Sequence, residues 1–226
     1  SMIDIKLLEQ LCLCNGISGD EGNVRNLIIN EIKDCADDIK TDNLGNLIVF
    51  KKGKKSAKSK LMVSAHMDEV GLMVTDITSD GYLKFDEVGG IDRRVLPGKR
   101  VCVGRNGLNG VIGVKPIHLT NGDEKTAVPK MNDMYIDIGA ESREDALKYV
   151  NYGDGINFEG DFTINGKTVV TKALDDRFGC YVLINLIKSE SEYDMYFTFV
   201  VQEEVGLRGA RPAAFTVNPD FALVIE

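Results

Sequence analysis

The sequence predicts an α/β protein: a sheet flanked by helices, interrupted by a small all-β insertion. Three observations predict it. Apolar residues recur at helical spacing at Val24, Leu27, Ile28, Ile32 and Cys35, and again in RFGCYVLINLIK at 177–188. The runs NLIVF and LMVSA read as strands buried on both faces, and YFTFVV and FALVI read as further strands. From about Val70 the texture changes to short β-like runs separated by turn signals. At 226 residues the chain can hold one large domain or two modest ones, since single cores stop growing beyond about 250 residues.

Taken in order, Cys12-Leu13-Cys14 lies on a helix and reads as structural. Ser18-Gly19-Asp20-Glu21 has the spacing of a capping box and opens the helix that carries Val24 to Cys35. A loop at Thr41-Asp42-Asn43 leads into the strands NLIVF and LMVSA. The lysine-rich KKGKKSAKSK between them, at 51–60, reads as a solvated hairpin loop. VGLMVTDI, GYLKF, RVCVG, GVIGV and YIDIG then form the β module, with turns at Ser79-Asp80-Gly81 and Asn106-Gly107. After Lys167 come the helix RFGCYVLINLIK, the strand YFTFVV, a glycine-rich turn with a short helix, and the strand FALVI. The expected domains are therefore 1–69, 70–167 and 168–226, the first and last forming one α/β body. GDFTINGKT at 160–168 has five residues between its glycines where a phosphate loop has four, and a strand-like stretch follows it, so it is set aside.

A net charge of −8 opposes a large polyphosphate footprint, so no nucleic-acid partner is expected. No apolar run approaches the roughly 20 residues needed to span a bilayer, so no membrane partner is expected either. Five cysteines, an odd number without paired metal spacing, fit a reducing compartment. The first ten residues alternate charge with apolar side chains, which points to a cytoplasmic protein, and Ser1 ahead of Met2 reads as a scar of tag removal.

Three of the apolar strands end in side chains that can bind metal. LMVSA leads into His66 and Asp68, FTFVV into Glu203 and Glu204, and FALVI into Glu226. In open α/β sheets ligands bind at the carboxyl ends of parallel strands, so these ends converge if the strands are parallel neighbours. ALDDRFG adds Asp175 and Asp176 just before a helix, where an aspartate also has the plain explanation of an N-cap. A single His after a buried strand has an equally plain explanation as a core or loop residue. Carboxylates crowded without cations repel one another, whereas divalent ions reverse that local electrostatics. One His with several acids suits two ions about 3.5–4 Å apart. Adjacent Glu203 and Glu204 point in different directions, so one can bind metal while the other handles protons.

At these residues the sequence resembles the M42 family of metallo-aminopeptidases, relatives of glutamyl aminopeptidase sometimes labelled endoglucanases. The resemblance runs through GISGDEGNVR, DNLGNL, AHMDEVGLMV, the pair Gly89-Gly90, IDIGA, ALDDRFG and VQEEVGLRGA, in that order. It implies a co-catalytic metallopeptidase fold with two divalent ions, zinc, cobalt or manganese. It makes His66 a ligand of one metal, Asp68 the group that orients it, Asp175 the bridging carboxylate, Glu203 the general base and Glu204 a ligand of the second metal. Glu226 falls where the family places a further carboxylate ligand, commonly Asp. His118 matches a position outside the metal set.

The implied reaction is hydrolysis of the N-terminal bond of peptides by a two-metal-activated water, with Glu203 moving the proton. The resemblance also implies a cis bond between Asp175 and Asp176 and self-association through the β module into a homo-oligomer. The family's last ligand, a His, lies on a C-terminal segment that follows the stretch matched here. The 226 residues therefore read as a truncated aminopeptidase, inactive and holding at most one metal well, with apolar surface exposed along 221–225. Two other readings remain at this point: a non-catalytic oligomerising protein with vestigial acids, and a glycoside hydrolase using Asp175 and Glu203.

Overall fold

A computed structural model of the chain describes residues 4–114 and 128–226. His118 and the first three residues lie outside the described residues. Two compact units emerge, one made of residues 1–69 with 160–226 and the other of 70–159. Residues 160–167, which the sequence assigns to the insertion, cluster with the first unit.

Helix α1 (Ile5–Leu13) starts at Asp4, whose Oδ1 accepts the Leu7 amide at 3.2 Å, and it buries Leu7, Leu8, Leu11 and Cys12. Helix α2 (Gly22–Ile32) buries Val24, Ile28 and Ile32 of the stripe that the periodicity predicts, while Leu27 is partly buried and Cys35 lies beyond the helix end. Its start differs from the expected capping box. Glu21 is the N-cap residue and makes no side-chain cap, while the Ser18 hydroxyl donates to Asp68 at 2.6 Å. Because α2 begins only at Gly22, Ser18 stands ahead of the N-cap position, and its hydroxyl proton goes to the charged Asp68 carboxylate. Strands β1 (Asp38–Thr41) and β2 (Leu47–Lys51) pair across a turn built on Asp42, whose Oδ1 accepts the amides of Leu44, Gly45 and Asn46 at 2.9–3.0 Å. Strand β3 (Leu61–His66) follows.

The second unit is a closed barrel of six antiparallel strands in the order β4-β5-β8-β7-β6-β9. They are β4 (Gly71–Ile77), β5 (Leu83–Val88), β6 (Arg100–Val103), β7 (Leu108–Val114), β8 (Met134–Asp137) and β9 (Gly155–Phe158). Leu72, Val74, Leu83, Val101, Ile112, Ile136 and Ile156 fill it. Closure removes the sheet edges that six short strands would otherwise leave open. One element that the β reading did not foresee is the single-turn helix α3 (Arg143–Ala146), capped by Ser142.

Back in the first unit, β10 (Thr163–Asn165) and β11 (Thr168–Val170) form an isolated hairpin, and α4 (Leu174–Lys188), β12 (Met195–Val200), α5 (Ala210–Val217) and β13 (Phe221–Val224) complete the chain. The sheet order is β1-β2-β12-β3-β13, with β12 and β13 both parallel to β3. The lysine-rich stretch is therefore not a hairpin loop. It carries the chain from β2 across β12 to β3, because β12 takes the central place, where Phe197, Thr198 and Phe199 are at most 1% exposed.

Helices α1, α2 and α4 pack with one face of the sheet around Leu47, Val63, Phe197 and Phe199. The other face carries Ile48 and Met62 under Ala214 and Val217 of α5. Phe221, Leu223 and Val224 on the edge strand β13 stay 65%, 54% and 61% exposed. Among the described residues, no helix is long and apolar enough to cross a membrane.

Candidate metal centre

The central parallel pair positions the site. His66 is the last residue of β3 and lies opposite Val200, the last of β12, so both strands release their chains at one level. The Met67 amide still bonds the Val200 carbonyl at 2.8 Å, and Gln202 then turns the chain out of the ladder with a φ of 54°. That turn delivers Glu203 and Glu204 beside His66. The imidazole is 4% exposed. Its Nδ1 lies 3.0 Å from the Asp68 carbonyl oxygen and 3.4 Å from Asp68 Oδ1. Its Nε2 lies 3.0 Å from Asp175 Oδ1 and 3.9 Å from Glu203 Oε2.

Among the described residues, one grouping could hold a metal ion: His66, Asp175 and Glu204, each offering a ligand atom, all within 4.8 Å of one another. Donors bound at about 2.0–2.2 Å to a single ion lie no more than roughly 4.4 Å apart. The set is nearly of that size, and the Asp175 side chain, 71% exposed, has room to tighten it. One imidazole with two carboxylates is a donor set that zinc, cobalt and manganese all accept.

The two aspartates in the first turn of α4, where the backbone is not yet helical, divide their work. Asp176 is 2% exposed, accepts the Gly179 amide on Oδ1 at 2.8 Å and accepts the His66 amide on Oδ2 at 3.0 Å. The plain capping explanation therefore belongs to Asp176. Asp175 makes no such bond and faces His66 instead, and the peptide bond between the two aspartates is cis, as the resemblance implies. Glycine is required at 179, where an added Cβ would sit 2.2 Å from Asp176 Oδ1.

Asp68 is 0% exposed. Burial would raise its carboxyl, but the His66 ring, the Ser18 hydroxyl and the amides of Glu203 and Glu204 outweigh that and hold it below the ordinary carboxylate value. Burial likewise pushes His66 down, and Asp68 and Asp175 more than reverse it, carrying the imidazole up to about 9. Asp176 is pushed up to about 6 by burial, against the hydrogen bond from the His66 amide. Glu203 and Glu204 are both raised, first by burial, with His66 opposing and the neighbouring carboxylates adding. Such a set of mutually destabilised acids is what a cation relieves. Glu226 follows β13, tied to β3 by the Ile225 amide on the Ser64 carbonyl at 2.9 Å. Its charge reaches Glu203, but it is not one of the three residues that converge.

Sequence reasoning missed the supports. Arg177, 0% exposed, donates to the carbonyls of Met67 at 2.7 Å, Cys14 at 2.6 Å, Gly16 at 3.3 Å and Leu11, and to Glu69 at 3.3 Å. Lys172 completes this group with bonds of 2.8 and 2.9 Å to Glu69. Asn46, also 0% exposed, accepts the Val201 amide at 2.9 Å and donates to the Gly209 carbonyl at 2.9 Å, clamping the start and end of the glutamate turn. An arginine at the head of an apolar helix was the available signal for Arg177. Nothing local marks Asn46.

A family model described as M42 glutamyl aminopeptidase matches residues 45–226. A provisionally named aminopeptidase of Acetivibrio thermocellus is 48% identical over 222 residues, which cover 97% of this chain and 64% of that protein. The lysyl aminopeptidase of Pyrococcus furiosus is 35% identical, the match covering 100% of this chain and 66% of the relative. The Pyrococcus horikoshii TET1 peptidase, described as assembling into a tetrahedron or a large octahedral shell, superposes with a TM-score of 0.89 at 44% identity, over 98% of this chain and 68% of that one. The chain thus spans about two thirds of the length of the proteins it matches.

Proposed function

The chain belongs to the M42 glutamyl aminopeptidase family, and from that premise we propose that it is the larger part of a metal-dependent aminopeptidase that removes residues from the N-termini of peptides. The observation that carries this reading is the convergence of His66, Asp175 and Glu204 within 4.8 Å, with Glu203 Oε2 3.9 Å from the same His66 nitrogen. His66, Asp175 and Glu204 would hold divalent ions, with Glu226 as a further carboxylate ligand and Asp175 shared between two sites. When bound, such ions supply positive charge that acidifies a water and polarises the scissile carbonyl.

The protein's own groups do the rest. Glu203, not needed as a ligand, takes a proton from the attacking water and returns it to the leaving amine; burial raises its pKa, with the neighbouring acids adding and His66 opposing. Asp68 holds the His66 ring and the glutamate backbone. The acids around the site, Asp175, Glu203 and Glu204, also suit the ammonium group of a peptide N-terminus.

Self-association through the barrel and cytoplasmic operation belong to the same proposal, the first supported by the assemblies described for the TET1 relative and the second by five free cysteines. For residues 1–226 taken alone, the proposal is one well-held metal and little turnover, since Asp175 and Glu204 would have to hold the second ion with few other ligands. The test is a panel of amino-acid amides assayed with zinc, cobalt or manganese and after chelation, on this chain and on a version extended to the length of its relatives. Chelator-sensitive release of amino acids by the extended form supports the reading, and metal-independent release or none in any form overturns it.

A further inference from the structure

We propose that Ser18 is a positioning residue for the Glu203 and Glu204 pair, acting through Asp68. The inference rests on the reading above only for what that pair does in the reaction. Ser18 is 7% exposed and sits in the loop between α1 and α2, fifty residues from Asp68 in sequence.

The buried Asp68 carboxylate receives three donors besides the imidazole. Oδ1 accepts the Glu203 amide at 3.0 Å, and Oδ2 accepts the Glu204 amide at 3.1 Å and the Ser18 hydroxyl at 2.6 Å. The His66 ring depends less on this carboxylate, because its Nδ1 lies closer to the Asp68 backbone carbonyl, at 3.0 Å, than to Oδ1, at 3.4 Å. The carboxylate therefore serves mainly the glutamate backbone. Those two amides lie beyond β12, where the chain has left the ladder, so a side chain replaces the neighbouring strand as their acceptor.

A carboxylate held by two parallel amides can still swing about its broad terminal torsion. The short charge-assisted bond from Ser18 fixes it from a third direction. The same loop secures the preceding residue, since Glu21 Oε1 accepts the Gln202 amide at 3.0 Å and the Gly19 amide at 2.8 Å. Residues 18–21 thus cradle three consecutive amides, 202 directly and 203 and 204 through Asp68.

The test is residue-resolved amide hydrogen exchange on the isotopically labelled chain. Ser18→Ala should speed exchange at Glu203 and Glu204 roughly tenfold or more. Met67, bonded to the Val200 carbonyl, and Gln202, bonded to Glu21, should keep their protection, and the His66 ring nitrogens should keep their chemical shifts. Ser18→Thr should restore protection at both glutamates, and cobalt titration should show a several-fold weaker affinity for Ser18→Ala than for the unaltered chain. If Ser18→Ala does not fold, Ser18→Cys, a weaker donor at the same place, should give a smaller acceleration at the same two amides. Unchanged protection at Glu203 and Glu204, or a loss spread evenly over the sheet, overturns the proposal. Absence of cobalt binding even in the unaltered chain would count against the metallopeptidase reading and leave the exchange result to decide on Ser18.

Discussion

Arg177 donates from Nε to the carbonyl of Met67 at 2.7 Å, one residue beyond His66. The same guanidinium holds the end of α1 and the loop after it through Leu11, Cys14 and Gly16, so the His66 end of β3 and the N-terminal helix share one buried tie. Arg177→Met would fill the space but take this donor from four carbonyls and from Glu69. The expected cost is about 3–5 kcal/mol, the usual penalty for breaking a buried charged pair. Urea unfolding of the two proteins checks it, and a loss below about 1 kcal/mol would show that water replaces the guanidinium.

On the proposed assignment, Glu203→Gln in a form extended to the length of its relatives should lower turnover by about 10²–10⁴-fold while metal affinity stays nearly intact, because the change keeps shape and deletes the proposed base. Glu204→Gln should lose both. Isothermal titration with cobalt beside an amide-hydrolysis assay separates the two, and near-normal activity of Glu203→Gln would end its assignment as the base.

The 226-residue chain, dialysed against zinc and then against buffer, should retain about one equivalent, and His66→Ala should retain none, since three ligands with an open position suffice for one ion. Elemental analysis reads this directly. Two tightly held ions would mean that another residue completes the second site beside Asp175 and Glu204.

Gly179→Ala should destabilise the protein by about 1–3 kcal/mol, the typical cost of overpacking. The added methyl would meet Asp176 Oδ1 at 2.2 Å, and Asp176 cannot withdraw without releasing the amides of Gly179 and His66. A thermal melt measures it. A substitution at Gly22, where the nearest atom is the flexible end of Arg25 at 3.7 Å, serves as a helical control with only the propensity change.

Self-association should appear in light scattering as a mass above that of one chain at micromolar concentration, with the separately expressed barrel, residues 70–159, tested beside it. Monomeric behaviour of a form extended to the length of its relatives would remove the barrel from the assembly proposal.

The sequence by itself determined the elements and the chemical types at their ends. Unbroken apolar runs read as strands, and three of them close on His66, on Glu203 with Glu204, and on Glu226, although the last became the exposed edge strand β13 while β3 and β12 are interior. Helical periodicity likewise marked α2 and α4 correctly, because a buried stripe leaves its period in the chain. Only the tertiary structure decided that β12 inserts between β2 and β3, turning the lysine-rich stretch from a hairpin loop into a crossover. It also decided which aspartate caps and which faces the imidazole, and that Ser18 serves Asp68 in place of its own helix. Each of these outcomes depends on a partner far away in sequence. A local bond is written in the spacing of neighbouring residues, whereas the distant partner exists only once the sheet has brought residue 68 to residue 18, so no local pattern can announce it.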